Sequence, residues 1–234
     1  MKRVFCIAFV MFFVLGTACD SLAAGKATIT QENFYVVNSW GVYGYAFARI
    51  ENTGNKPIAY NAGLLEVYDK NGDAVGATTY LKCYGSYLQP GEYVYLSAAA
   101  SLDTIKSSSE VDDYSLTVSG QSNNSMYIRK FSCDTEYKPN EKSGYWNYNH
   151  IYATFTNDTD DVVYGVAVVM ALLDKDDNIL DIETVNISDS VGIWPGCKLT
   201  VVANVSDLMI EAYKGCGFTA DHVDAYAYVE LIKQ

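Results

Sequence analysis

The sequence predicts an all-β protein made of two tandem β-sandwich domains behind an N-terminal signal peptide. Three observations predict it. An internal repeat holds a constant offset of 105 residues, each copy alternates apolar and polar residues with a period of two, and the chain opens on a short apolar leader.

The leader comes first. Lys2 and Arg3 precede Val4 to Leu15, a run almost without polar atoms, and small residues follow at Gly16 to Ala18 and at Ala23-Ala24. This is the pattern of a secretory signal over residues 1–24. Its apolar stretch falls well short of the roughly 20 residues a membrane-spanning helix needs. Two processing routes fit it: cleavage after the small residues near Ala24, or lipidation of Cys19 after Gly16-Thr17-Ala18, where Leu15 sits one position too early for a regular lipobox. Either route places the protein outside the cytoplasm, as a periplasmic, secreted or cell-surface protein, and membrane association is expected only if Cys19 is lipidated.

Losing Lys2, Arg3 and Asp20 with the leader moves the formal charge from −12 to −13. A nucleic-acid partner requires stripes of Lys and Arg. Here the basic residues are scattered singly, so nucleic acid is excluded and the acidic surface reads as a solubility device.

The repeat defines the rest. Ile50-Glu51-Asn52 lies over Phe155-Thr156-Asn157, Val67 to Val75 over Leu172 to Leu180, and Leu88-Gln89-Pro90-Gly91 over Ile193-Trp194-Pro195-Gly196, without a gap. A chance match does not hold register through three turns. The copies occupy 28–121 and 125–234, joined near the Gly/Gln/Ser/Asn run at Ser119 to Ser125. Register is lost late in the second copy, where Tyr213 to Asp221 reads as an insertion.

Within the first copy, Val42, Gly44, Ala46, Ala48 and Ile50 alternate with Tyr43, Tyr45, Phe47 and Arg49, which predicts a strand. Ile151, Ala153 and Phe155 take the corresponding apolar positions in the second. A turn follows at Asn52 to Asn55 and at Asn157 to Asp160, then a more continuously apolar strand ending in Tyr68-Asp69 or Leu173-Asp174. Asn71-Gly72 is a strong hairpin signal, and Asp177-Asn178 is a weaker version of it. Pro90-Gly91 and Pro195-Gly196 precede further strands, and a last strand is expected at Tyr114 to Val118 and Ala225 to Ile232. Ser101 to Ser109 and Val205 to Lys214 each have room for a single helical turn. Short strands separated by turns every 8 to 12 residues are the pattern of a β-sandwich.

The run Leu65-Glu66-Val67-Tyr68-Asp69, with Lys70-Asn71-Gly72 and the later Leu88-Gln89-Pro90-Gly91-Glu92, resembles the bacterial FxLYD domain family. Tyr68 and Asp69 match its namesake motif, while Leu65 and Val67 replace its Phe and Leu. Met170 to Asp174 keeps only Leu172 and Asp174. The resemblance covers roughly 42–100 and 147–205. It implies immunoglobulin-like sandwiches in an extracytoplasmic or lipoprotein setting and brings no catalytic residue with it.

Tests for chemistry are mostly negative. His150 is expected on the strand face of Tyr148 and Tyr152, and His222 just before the last strand, but neither accompanies a nucleophile signature. No catalytic residue and no cofactor are expected. Asp174, Asp176 and Asn178 begin like a calcium loop and are the metal candidates, although Ile179 and Val185 stand where an EF-hand has Gly and Glu. Cys83, Cys133, Cys197 and Cys216 remain in the mature chain, either as thiols or with Cys197 bridged to Cys216. Among 20 tyrosines, Tyr84, Tyr87, Tyr93 and Tyr95 crowd the first copy. They either fill the sandwich, as aromatics in strands do, or form a contact stripe for a glycan or protein partner. The expected function is a non-enzymatic binding or structural protein that presents two modules to a macromolecule. The alternatives are a carbohydrate-binding module or a lipid-anchored spacer.

Overall fold

The computed structural model describes residues 25–38 and 40–232. The leader over 1–24 and Cys19 lie outside the described residues. The chain divides into two compact units, one ending at Ser125 and one beginning at Met126, and both are built almost wholly of strands.

The first unit runs β1 (Ala27–Asn38), β2 (Val42–Asn52), β3 (Ile58–Asp69), β4 (Ala74–Thr78), β5 (Leu81–Cys83), β6 (Tyr87–Leu88), β7 (Tyr93–Ser101), a single helical turn (Ser108–Glu110) and β8 (Val111–Ser122). One sheet has the order β1-β2-β7-β5. In the other, β3 carries β4 and β6 on one edge and β8 on the other. The predicted alternation is the packing pattern: Ala46, Ala48 and Ile50 on β2 lie beside Ala98, Leu96 and Val94 on β7, and all six are buried. Leu65 and Val67 supply fully buried side chains from β3, and Phe34 of β1 stacks on Tyr114 of β8 with ring centroids 4.4 Å apart.

The second unit runs β9 (Met126–Ser143), β10 (Trp146–Thr156), β11 (Ala167–Asp174), β12 (Ile179–Asn186), β13 (Lys198–Asn204), helix α1 (Asp207–Gly215) and β14 (Ala220–Ile232). Its strand order is β12-β11-β14-β9-β10-β13. The long β9 makes this one path. Its first half, Met126 to Ser132, pairs with β14, and its second half, Cys133 to Ser143, pairs with β10. The continuously apolar run forecast for this copy is β11, with all eight residues buried. Ile151, Ala153 and Phe155 are buried on β10, where Phe155 meets Phe131 at 5.9 Å between ring centroids.

The offset survives folding. Strands β2, β3, β4 and β7 correspond to β10, β11, β12 and β13 within a few residues of 105. The late insertion is measurable in the ladders. Val67 pairs with Tyr114, and its counterpart Leu172 pairs with Val223, so by the final strand the offset has grown to 109. The extra residues complete α1. The segment expected to hold one helical turn is a nine-residue α-helix, capped by Ser206, whose side chain accepts from the Met209 N–H at 3.2 Å. Its buried residues Met209, Ile210, Ala212 and Tyr213 fall at helical spacing, a signal too brief to stand out in the sequence. Strands β1 and β9 were not anticipated as separate elements, and β8 and β14 extend beyond the limits expected for the last strands.

Candidate functional site

The strongest correspondence between the units is a buried polar pin. Asn52 and Asn157 are completely buried. Asn52 Nδ2 donates to the Lys56 carbonyl at 2.8 Å and to the Leu88 carbonyl at 3.1 Å. Asn157 Nδ2 donates to the carbonyls of Asp161 and Ile193, both at 2.8 Å. Each Oδ1 accepts a backbone N–H two residues on, from Gly54 at 3.1 Å and Thr159 at 3.0 Å. The main chain closes the same ring: Asn52 N–H to Glu92 O and Gly91 N–H to Asn52 O in one unit, Asn157 N–H to Cys197 O and Gly196 N–H to Asn157 O in the other. One asparagine therefore fixes two loops, the turn after β2 or β10 and the Pro-Gly turn before β7 or β13.

The hairpin tip repeats as closely. Asp69 Oδ1 accepts the N–H groups of Asn71 at 2.8 Å and Asp73 at 3.0 Å. Asp174 Oδ1 accepts those of Asp176 at 2.9 Å and Asn178 at 2.8 Å. Backbone bonds from Asp73 and Asn71 hold the Asp69 carboxyl below its ordinary range. The Asp of the Tyr-Asp motif is a turn anchor. The same geometry bears on the metal candidates. Asp174 Oδ2 accepts from Asn178 Nδ2 at 2.9 Å, so both its oxygens serve the turn, and Asp176 pairs with Lys175 at 2.7 Å. Asp174, Asp176 and Asn178 line a shallow depression of about 320 Å³ with Asp221. Among the described residues no three His, Cys, Asp or Glu side chains come together as a metal cluster.

The tyrosine stripe dissolves on folding. Tyr84 and Tyr95 are buried, which withdraws them as contact residues. The Tyr84 hydroxyl meets Ser97 Oγ at 2.9 Å and its backbone N–H bonds to the Tyr95 carbonyl. Tyr87 and Tyr93 are half-buried, and the Arg49 guanidinium lies 3.8 Å over the Tyr93 ring. Tyr93 and Tyr95 share one face of β7, with ring centroids 5.8 Å apart, while Tyr84 lies in the bend between β5 and β6, so the four do not form one exposed stripe. The Cys197–Cys216 bridge is not formed. Cys197 sits in the exposed turn before β13 and Cys216 at the C-cap of α1, so a whole strand and a helix separate them.

His150 lies where the alternation put it. Its ring stacks on Tyr148 at 5.2 Å and stands edge-on to Tyr152 at 5.8 Å. Glu141 accepts from the Tyr152 hydroxyl and sits 2.7 Å from His150 Nδ1, and these two bonds keep its carboxyl below the usual range. Lys138 covers the Tyr152 ring at 4.7 Å.

The exposed aromatic feature that sequence spacing missed is in the second unit. Val163 and Ile193 form an antiparallel bridge with bonds of 3.0 and 2.9 Å. Ile193 is buried, so the side chains that follow Val163 and Ile193 along the chain point to the opposite, outward face. They are Tyr164, 55% exposed, and Trp194, 66% exposed. Val162 and Tyr164 lie over Gly192, where a Cβ would come within 2.8 Å of Val162 and 2.9 Å of Tyr164. On the Tyr164 side of this apolar ledge, Val162, Val163 and Tyr164 border a groove of about 300 Å³ that Thr159, Asp161, Arg129 and Glu230 line with polar groups, while Trp194 stands outside its lining. Asn157 bonds both the Asp161 and Ile193 carbonyls, so the ledge rests on the pinned loops. In the first unit the positions of Tyr164 and Trp194 hold Ala59 and Gln89. Compared with protein-family models and with curated proteins, the chain matches none.

Proposed function

We propose that this is a non-enzymatic, exported protein of two immunoglobulin-like modules of the FxLYD kind, which binds a macromolecular partner through the second module. The observation that carries the reading is the Tyr164–Trp194 ledge. Two large aromatic side chains stand in solvent on two loops whose backbones are both bonded by one buried asparagine. Rigid aromatic area of this sort binds at little entropic cost. The leader, the acidic surface and the twofold build support an extracytoplasmic setting, and the hydrogen-bonded Asp69 and Asp174 turns give the motif resemblance a structural rationale.

The test is capture from a cell-envelope extract by the purified protein and by Trp194→Ala and Tyr164→Ala variants. A partner retained by the parent and lost by both variants supports the reading. A hydrolytic activity abolished by His150→Ala or Glu141→Gln overturns it.

A carbohydrate ligand is the second reading, favoured by the polar groove beside Tyr164. It moves the sugar-stacking surface from the first module's tyrosines to Trp194 and Tyr164. Glycan-array hits that vanish with Trp194→Ala distinguish it from a protein partner. Mass spectrometry of the mature N-terminus separates a soluble form from one lipidated at Cys19.

A further inference from the structure

Beneath α1 the second unit holds two polar groups that the ledge does not use. Asp181, on the second strand of the hairpin, is buried. Its Oδ1 accepts the backbone N–H of Ile182 at 2.9 Å, and its Oδ2 is buried with no hydrogen-bond partner. Tyr213, the last of the buried residues on α1, has no exposed surface, and its hydroxyl is also unpartnered. The phenol of Tyr137 on β9 stands close to it without a well-formed hydrogen bond, and the Asp181 carboxyl is within electrostatic reach. An unpaired carboxylate enclosed in this way is far more costly than the neutral carboxyl. Burial, reinforced by Glu183 two residues along the strand, pushes Asp181 up to about 7, with the Ile182 N–H opposing.

Among the described residues no cation is placed to compensate Asp181. The neighbour across the ladder on β11 is Leu172. The charged residues of α1, Asp207, Glu211 and Lys214, are exposed. Lys198, the one charged residue of β13, is exposed and sits 3.3 Å from Asp134.

We propose that Asp181 and Tyr213 form a proton-operated catch: with Asp181 protonated α1 stays seated on β12, and ionisation of the buried carboxyl loosens the helix from the sheet. The catch belongs to the second unit, since position 181 corresponds to Gly76 and the first unit has only a single helical turn at Ser108–Glu110. It stands independently of what the ledge binds.

The sign follows from linkage. A carboxyl whose pKa is higher in the folded state stabilises that state fully below its unfolded value, near 4. The contribution is lost as pH rises toward 7 and is constant above it. Hydrogen–deuterium exchange of the full chain between pH 4.5 and 7.5, corrected for intrinsic exchange, reads the opening of α1 directly. In the parent the opening constant is expected to rise on the order of a hundredfold more than in Asp181→Asn across that range. β10 and β14 serve as the internal reference. Parallel profiles for the two proteins, or flat protection of α1 in the parent, overturn the proposal. Carbon NMR titration of the Asp181 carboxyl in the parent provides a check that does not depend on the variant folding. A midpoint near 7 is expected, and a midpoint below 5 overturns the catch.

Discussion

The two units share their polar pins far more closely than their surfaces. Asn52 and Asn157 make the same side-chain bonds to carbonyls at the same offsets, and Asp69 and Asp174 accept from the same two turn amides. Outside these pins the units diverge. The first adds the short strands β5 and β6 between β4 and β7, while the second has α1, the ledge and the half-buried cluster around His150. The pins hold loops and leave the loop surface unspecified, so one scaffold tolerates Gln89 and Ala59 in one copy and Trp194 and Tyr164 in the other. The repeated part is structural, and the part that differs is where binding has room to arise.

The largest effect is expected at the pins. Asn52→Ala and Asn157→Ala each leave two carbonyls without their side-chain donor, together with the amides of Gly54 and Lys26 in the first unit and that of Thr159 in the second, at a cost of about 3 kcal/mol. Denaturant unfolding, followed by exchange of each unit, should show a similar loss in both. If Asn52→Ala proves silent while Asn157→Ala destabilises, the two sites are alike in geometry only.

The hairpin anchors rank next. Asp174 is almost fully buried and its carboxylate accepts three bonds, so Asp174→Ala should cost about 2 kcal/mol. Asp69→Ala should cost less, because its site is more open to water. The Asp69 carboxyl is held low in the folded state. Its stabilisation is therefore present above the unfolded pKa near 4 and lost as pH falls below it. Acid unfolding of the parent and the Asp69→Ala variant should converge at low pH, and curves that stay separated there would falsify the role assigned to the carboxylate.

The legible part of the fold was what period and offset encode. Alternation at Val42 to Ile50 gave β2 and its buried face, the Pro-Gly and Asn-Gly pairs gave turns, and the 105-residue offset made each copy evidence for the other. Strand β1 escaped notice because its half-buried first part passes into the continuously buried run Asn33 to Val37 without a period of two, and β9 because it mixes polar residues into half-exposed faces and changes partners midway, which breaks any single alternation. The pin was visible as one asparagine retained in Ile-Glu-Asn and Phe-Thr-Asn, but its burial was not, since asparagine in a turn is usually on the surface. The ledge was illegible because Tyr164 and Trp194 lie thirty residues apart and reach one face only through the Val163–Ile193 bridge.

A smaller effect separates the turns themselves. Gly72 has φ of 82°, and its counterpart Asp177 has φ of 63°. Alanine at 72 enters the left-handed region at a cost of about 1 kcal/mol. Asp177→Gly relieves a side chain already there but adds unfolded-state freedom, so the two terms nearly cancel and the net change should stay within about 0.5 kcal/mol. Thermal midpoints of the two variants measure the asymmetry. Equal and opposite shifts would mean that the aspartate is strained where the glycine is relaxed.

The smallest change in stability is expected where the change in binding is largest. Trp194 is mostly in solvent, so Trp194→Ala should move unfolding by no more than about 0.5 kcal/mol, while a partner held by the ledge should bind at least tenfold more weakly. Trp40→Ala is the matched control, because Trp40 is fully exposed in the first unit and is not among the residues tied to Asn52. If exposure alone made a tryptophan sticky, both substitutions would weaken capture alike. If the pinned loop is what turns exposure into affinity, only Trp194→Ala does so, and Asn157→Ala weakens binding as well, in protein that is still folded, by releasing the turn on which the tryptophan stands.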